Sequence, residues 1–426
     1  MIRLTHSTGT SLEVDAGTRV GTLLARMESL GEPESNSEAV GARVNNQVVS
    51  LNDTLQVNGE IEAIPLDSAD GVRIYRRSLC FLLAMAAHRL YPDERLVIGH
   101  SLGDSYYYFF EKDAYDDSDS RQVDLSRIEA TMHELVAANH VLEKTYYSYT
   151  EALAYLQQHG LEDTATLLSQ DSRDPVSMHV CNNYMDLAHG VLVPRLGVLK
   201  QFSLESLDTG FCLRFPSSQT PDKLADEFHY SRILFSVYKE YKNWGRILGV
   251  RAVGSLNERA NSSDIRSFIR INEALQDKKI AEIADRISDS GDSIRLILIA
   301  GPSSSGKTTF SKKLAIQLQV KGLRPVAISL DDYFVPREQT PLDEEGNFDF
   351  ESLHAIDVKL FNDQLVQLFD GKEVDLPTFD FKQGARIYRG NSLTLQPDTV
   401  AIVEGIHGLN DELTSRIPSH QKFRMI

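Results

Sequence analysis

Near the start of the chain, apolar and polar positions alternate over short runs. Ile2 to Leu4, Ser11 to Val14, Val48 to Leu51 and Glu60 to Ile64 have the period of half-buried strands. Between them Val20 to Leu30 repeats apolar residues at helical spacing, and Gly and Asn-Asp turns punctuate the runs, so residues 1–66 predict a small α+β module. Leu66 to Gly71 reads as a linker. Beyond it Ser78 to Leu90 and Leu125 to Asn139 predict helices, the second through Leu125, Ile128, Met132, Leu135 and Val136, and Tyr91-Pro92-Asp93 stops the first. Tyr106 to Phe110 predicts a core strand in which alternation buries every second ring. A second domain of mixed type is expected over residues 71–216. A mostly helical connector follows over 217–290, from the character of Glu227 to Trp244 and Ser263 to Asp289. No internal repeat occurs.

The pattern changes at Ile294. Ile294 to Ala300, IRLILIA, is a continuous apolar run of the kind that forms a strand buried on both faces of a parallel sheet. An amphipathic helix is expected from Thr309 to Val320, through Phe310, Leu314 and Leu318. Val326 to Leu330 and Thr399 to Val403 repeat the buried-strand pattern. Residues 291–426 therefore predict an α/β domain with a parallel sheet.

Composition narrows the class without naming a chemistry. With 42% hydrophobic and 25% charged residues over 426 positions, the chain is globular and long enough for two to three domains, not collagenous or disordered. Its three cysteines, Cys80, Cys181 and Cys212, lie far apart with no C-x-x-C pair, which excludes a disulfide framework or a cysteine-rich zinc site. Neither a signal peptide nor a membrane span is present in the pattern. The longest apolar stretch, Leu79 to Ala87, is well short of the roughly 20 residues a bilayer needs. A cytoplasmic location is expected. The net charge of −17 argues against a surface that coats nucleic acid, and most of it (−13) lies upstream of residue 291.

That uneven charge matters because the chemistry is concentrated downstream. Gly301-Pro-Ser303-Ser304-Ser305-Gly306-Lys307-Thr308 matches G-x-x-x-x-G-K-[ST], with the required strand before it and helix, from Thr309, after it. Glycines let the backbone wrap a phosphate so that successive N–H groups point at the anion. Lys307 reaches the β and γ oxygens of ATP, and the Thr308 hydroxyl is placed to ligate Mg²⁺. The next strand delivers Asp331-Asp332 at its C-terminal end, where ligands bind in open α/β sheets. A carboxylate there is a candidate base toward an acceptor hydroxyl, or a metal ligand, against the bland reading of a turn aspartate. The third strand ends in Glu404-Gly405, the layout of a Walker B acid.

In order, GPSSSGKTT, SLDDYF (Ser329 to Phe334), NFDF (Asn347 to Phe350), LPTFDF (Leu376 to Phe381) and VEGIHGL (Val403 to Leu409) resemble the motifs of the uridine kinase and phosphoribulokinase family of P-loop kinases. The resemblance implies ATP and Mg²⁺ as cofactors, a nucleoside or similar small hydroxyl compound as acceptor, and Asp331 as the base toward a sugar 5′-hydroxyl. It also implies Thr308, Asp331 and Glu404 around the metal and Asp349 on the ribose hydroxyls. Phe348, Phe379 and Phe381 would line a base pocket, with Arg386 near the transferred phosphate or nucleobase. Upstream, SLEVDAGTRVGTLL (Ser11 to Leu24) resembles the ubiquitin-like TGS module of threonyl-tRNA synthetases. Arg76 to Phe110 and Cys181 to Gly197 are similar to the synthetase domain that hydrolyses mischarged serine from tRNA. The catalytic H-x-x-x-H pair of that domain falls on Arg77 and Phe81, and its later Cys and His on Ala188 and Leu192, so its chemistry is not expected here. His88, His100, His179 and His189 are read as ordinary surface or hydrogen-bonded histidines.

Two departures bound the kinase reading. Uridine and cytidine kinases carry a Tyr where Phe379 stands and a His where Gly384 stands, both polar readers of the pyrimidine. The sequence also ends at Lys422 to Ile426, where another strand is expected to begin. The family's arginine-bearing lid is expected to be absent and turnover of this chain to be poor. The alternatives are a kinase of another small hydroxyl compound, or a nucleotide-dependent RNA- or tRNA-binding regulator in which the P-loop is a switch. For the regulator, Arg73, Arg76, Arg77 and Arg89 offer a local basic patch.

Overall fold

The computed structural model describes residues 1–29, 38–111, 123–170, 174–217, 219–221, 223–396 and 398–426, and it divides into two compact units, Met1–Ser262 and Ser263–Ile426. The last position of the helix expected over Val20 to Leu30 lies outside the described residues.

The N-terminal unit opens with β1 (Ile2–His6), β2 (Ser11–Val14), α1 (Val20–Glu28), β3 (Ala39–Val44), β4 (Gln47–Val49) and β5 (Gly59–Pro65). These strands form one sheet in the order β2-β1-β5-β3-β4, with β1 and β5 parallel. Helix α1 presents Val20, Leu23, Leu24 and Met27 to a core with Leu4, Val14 and Ile61. The strand expected at Val48 to Leu51 is shorter and pairs with β3, which the sequence pattern did not reveal. Asn45 and Asn46 both take left-handed φ (48° and 64°), the conformation of a tight two-residue hairpin turn.

Helix α2 (Ala69–Leu90) corrects the expected linker, since it begins two residues before that stretch was to end. The reason is local: the Ser68 hydroxyl accepts from the Gly71 amide at 3.0 Å, and Asp70 adds an acid to the first turn. Gly71 itself lies so close to the preceding loop that a Cβ there would sit 2.0 Å from the Pro65 carbonyl oxygen. Then follow β6 (Arg95–Ser101), β7 (Ser105–Glu111), α3 (Leu125–Ala138), β8 (Glu143–Tyr147), α4 (Tyr149–Gln158), α5 (Glu162–Ser169), β9 (Val176–Cys181), β10 (Tyr184–Leu187), β11 (Ser203–Leu207) and β12 (Gly210–Arg214). They make two antiparallel sheets, β10-β9-β8 and β11-β12-β7-β6. The every-second-ring burial expected of Tyr106 to Phe110 does not occur: neighbours Tyr107 and Tyr108 are both buried. Tyr107 packs with Leu102 and Phe235 on one face while Tyr108 enters the large α2 core on the other, so this strand is covered on both sides. Helices α6 (Arg232–Ile247) and α7 (Val253–Ala260) complete the unit. The stretch expected as one connector is thus shared between the two units.

The C-terminal unit holds α8 (Ile265–Asp289), β13 (Leu296–Ile299), α9 (Lys307–Val320), β14 (Arg324–Ser329), α10 (Val358–Phe369), β15 (Val374–Asp380), β16 (Ala385–Leu393), β17 (Thr399–Glu404) and β18 (Lys422–Met425). Its main sheet, β14-β17-β13-β18, is parallel throughout, and β15 and β16 form a separate antiparallel hairpin. The apolar run of β13 is buried at every position because each face has its own core. Leu296 and Leu298 meet Phe361 and Leu365 of α10, while Ile297 and Ile299 meet Ile280 and Ile287 of α8 and Leu314 and Leu318 of α9. Each such side chain contributes about 1.5 to 3 kcal/mol by leaving water. The strand is therefore held rigidly where it hands over to the glycine-rich loop.

Candidate phosphate and acceptor site

Parallel pairing fixes which residues meet at the end of this sheet. Glu404 is in register with Ile299 on one side and Ser329 on the other, so the strand ends before Gly301, Glu404 and Asp331 all open on the same edge. The loop between β13 and α9 is built for close approach. Ser304 (φ 59°) and Gly306 (φ 89°) take left-handed backbone, and a Cβ at Gly301 would meet the Ser305 hydroxyl at 2.8 Å. Helix α9 starts at Lys307 with no side-chain cap on its first amides, the arrangement in which a helix N-terminus receives an anion. Ser303, Ser305 and Thr309 lie in the same loop and first helical turn.

Three chemical groups converge there. The Thr308 hydroxyl donates to Glu404 Oε1 at 2.7 Å, which ties the first turn of α9 to the end of β17. Burial and then the Glu404 carboxylate push the Asp331 carboxyl above its usual range, while Lys307 pulls it back. Lys307 Nζ donates to the Pro302 carbonyl oxygen at 2.8 Å. Among the described residues no three His, Cys, Asp or Glu side chains form a cage for a metal. Two carboxylates and one hydroxyl do suit Mg²⁺, a hard cation that takes few protein oxygens and keeps its other positions for water and phosphate.

The β15–β16 hairpin is latched to the turn that carries Asp331 by a residue that the sequence marked only as half of an Asp-Asp pair. Asp332 Oδ1 accepts from the Phe379 amide at 3.1 Å. Phe379 is buried and its ring lies 5.6 Å from Phe334 and 5.1 Å from Phe381, centroid to centroid. Phe350, 6.3 Å from Phe334, and Phe348, 6.0 Å from Phe350, extend the group. The structure thus brings the three expected phenylalanines together with two more. Phe334 and Phe350 stood in the quoted motifs, but only the tertiary contacts reveal them as part of one patch. The Asp349 carboxylate accepts from the Glu351 and Ser352 amides at 3.0 and 3.1 Å and so shapes its own turn. Arg386 donates to Asp357 Oδ2 at 2.9 Å, and the other oxygen of Asp357 caps α10 at the Leu360 amide. Gly384, at φ 66°, turns the hairpin against Arg337, whose Cβ lies 2.9 Å from where a side chain would begin.

In the N-terminal unit a cavity of about 490 Å³ gathers residues that the sequence reading kept apart, among them Arg77, Phe81, Leu192, His88, His179 and His189. His100 is not on its wall and packs instead on the Tyr238 ring, and the Ala188 amide donates to Ser177. His179 Nε2 is 2.6 Å from the Gly190 carbonyl oxygen and Arg77 Nη1 donates to Val191 at 3.1 Å. Burial pushes His88 and His179 below the usual imidazole value, with His159 adding to the effect at His88, and it pushes Asp186 up.

Residues 296–424 match the phosphoribulokinase / uridine kinase family. The match lies wholly within the C-terminal unit. The β13 strand, the glycine-rich loop, α9, Asp331 and Glu404 all lie within the matched residues. A solved structure of a possible uridine kinase from Bacillus stearothermophilus is 27% identical over 32% of this chain and 74% of that one, with a TM-score of 0.28. Elsewhere the chain is similar to threonine–tRNA ligases. That of Methylococcus capsulatus is 33% identical over 184 residues (43% of this chain, 28% of that protein). That of Pelobacter propionicus is 26% identical over 249 residues (56% and 38%). The chain therefore spans about a third of the length of these relatives. No helix among the described residues is long and apolar enough to cross a membrane.

Proposed function

We propose that the protein is an ATP-dependent kinase that transfers the γ-phosphoryl group to the 5′-hydroxyl of a nucleoside. The observation that carries this reading is the single sheet edge at which the glycine-rich loop, Asp331 and Glu404 come together, with Thr308 bonded to Glu404. Backbone amides of Gly301 to Thr309 cradle the phosphates, and Lys307 swings from the Pro302 carbonyl to the β and γ oxygens. Thr308, Asp331 and Glu404 would hold Mg²⁺, which would supply charge neutralisation at the phosphates. Asp331 orients the acceptor hydroxyl and takes its proton. Asp349 reaches the ribose, Phe348, Phe379 and Phe381 face the base, and Arg386 borders the site through Asp357. Phosphoryl transfer asks mainly for positioning and electrostatics, which these residues supply.

The test is ADP release from Mg-ATP across a panel of nucleosides and sugar alcohols. Stimulation by one nucleoside, reduced at least about 10²-fold in Lys307→Ala, is expected. Silence across the panel with ATP still bound would overturn the reading. The similarity to threonine–tRNA ligases favours a second role, in which a TGS-like module (residues 1–66) and an editing-like module (71–216) hold tRNA in the cytoplasm. Filter binding of tRNA should then weaken steeply with salt, and an absence of uptake would remove that role.

A further inference from the structure

One face of α2 borders a cavity. Arg77, Cys80, Phe81, Ala84, Ala87 and His88 share a stripe about 16 Å long at roughly 1.5 Å per residue, and that stripe lines the N-terminal cavity of about 490 Å³. Much of the wall is apolar. Phe81, Tyr184 and Leu192 are buried residues that still face the cavity, and the first two rings meet edge to face at 5.2 Å. Two polar groups on the wall are left over. The Tyr108 hydroxyl is buried with no oxygen or nitrogen partner, its neighbour being the Cys80 sulfur. Lys242, brought to the wall by α6, has no hydrogen bond or ion pair among the described residues and meets the Phe109 ring at 5.9 Å. Burial pushes its ammonium below the ordinary range, and the carboxylate that acts on it, Glu111, is already shared by Arg95 and Arg251. With Asp163 on Arg95, three cations meet two acids there, an excess of one positive charge. Glu94, also on the wall, has an interaction of its own. A half-buried charge without a partner costs free energy until something completes it.

We propose that this cavity binds a small monocarboxylic acid with an apolar, ring-bearing body, its carboxylate on Lys242 and its body against Phe81, Tyr184 and Leu192. The volume lies in the range of roughly 300 to 1,000 Å³ typical of small-ligand sites, whose walls are mostly apolar with a few polar groups that fix orientation. Lys242 and the Tyr108 hydroxyl are those groups, one for the charge and one to donate to a ligand oxygen. An excess of one positive charge calls for a monoanion, which a phosphate monoester, at about −1.5 to −2 near neutral pH, would overshoot. Lys242 and Arg251 come from α6 and the turn before α7, outside residues 71–216, so the cations at this end are not a property of the synthetase-like stretch alone. The thiol on the wall is disarmed, because burial raises Cys80 to about 11 and keeps it protonated, and His179 Nε2 is engaged by the Gly190 carbonyl oxygen. Such a wall suits holding a ligand more than transforming it.

The experiment titrates the full chain by isothermal calorimetry with 3-phenylpropionate, its amide, acetate and phenyl phosphate. 3-Phenylpropionate should bind with a Kd below about 1 mM. The amide, which lacks the charge, and acetate, which lacks the ring, should each bind at least about tenfold more weakly. Lys242→Met should weaken 3-phenylpropionate by about tenfold or more and the amide by less than about threefold, while the melting temperature stays at or above that of the wild type, because a half-buried charge has been removed. Ala84→Leu, which narrows the cavity, should weaken both. Equal affinity for the amide and the carboxylate, or an unchanged affinity in Lys242→Met, would overturn the role of Lys242. Phenyl phosphate binding more tightly than 3-phenylpropionate would overturn the monocarboxylate, and no uptake of any of the four would overturn the site. No readout uses ATP, so the result is separate from the fate of the kinase reading.

Discussion

The two units each gather charged and aromatic side chains at a concave place, and they treat those charges in opposite ways. Around the N-terminal cavity, Arg95 is held between Glu111 and Asp163, and Arg251 shares Glu111 at 3.1 Å. Histidines 88 and 179 are kept toward the neutral form, and burial raises the Cys80 thiol to about 11. Most charge there is paired within the protein, although the Arg77 guanidinium donates to a carbonyl oxygen as Lys307 does. At the sheet edge of the C-terminal unit, two carboxylates are set close enough for one to perturb the other, and the bond of Lys307 goes to a carbonyl. An arrangement of that kind costs free energy when empty and is completed by a charged ligand, which is why perturbed groups point to function only when their charge is left over.

The sharpest way to break this contrast is Asp331→Asn. It should lower kcat by about 10² to 10⁴ while Mg-ATP still binds, measured by single-turnover phosphoryl transfer. An unchanged rate would mean that the leftover charge is not the working group. A smaller effect is expected where charge is compensated in the same unit. Asp357→Ala removes the cap of α10 and the partner of Arg386 together, and should lower the melting temperature of the C-terminal transition by about 2 to 8 °C. The smallest effect concerns the cavity. His88 has a folded pKa below its ordinary value of 6.5, so the unfolded chain binds its proton first, and stability is lost as pH falls through and below that value. The His179 imidazole acts in the same sense and Asp186 in the opposite one. His88→Gln should therefore flatten the fall in melting temperature between pH 7.5 and 5.5, and a slope identical to wild type would show that the histidine is not held neutral.

How much of this could be read beforehand depended on how local the cause was. The β13 strand, the glycine-rich loop and α9 were legible because a continuous apolar run and fixed glycines carry their own structural meaning. Glu404 was legible because it ends a buried strand; the strand before Asp331, also expected to be buried, lies at the edge of the sheet with only Ile328 buried, and Asp331 follows it in a short helical turn. The linker expected at residues 66–71 failed because Ser68 and Asp70 are helix-starting residues as readily as loop ones. Strand β3, with a glycine inside AVGARV, has too weak an alternation to be seen without its partner β5. The bond from Asp332 to Phe379 spans 47 positions and the pair of Arg386 with Asp357 spans 29, so neither leaves a mark in any sequence window. The cavity residues come from α2, β9 and the segment after β10, and only the fold assembles them.

The rung that joins Ile299, Glu404 and Ser329 turns the sheet into a ruler. Adjacent strands stand ~4.8 Å apart, so the span from the phosphate loop after β13 to the acid after β14 is two strand spacings, set by main-chain hydrogen bonds and not by any side chain. Side chains around the site can drift in evolution without altering that gauge. A one-residue insertion inside β17 could not be absorbed so easily, because a slip of one residue inverts every side chain on a strand and would turn Glu404 away from Thr308. The tolerance of the site to substitution and its intolerance of insertion have the same origin.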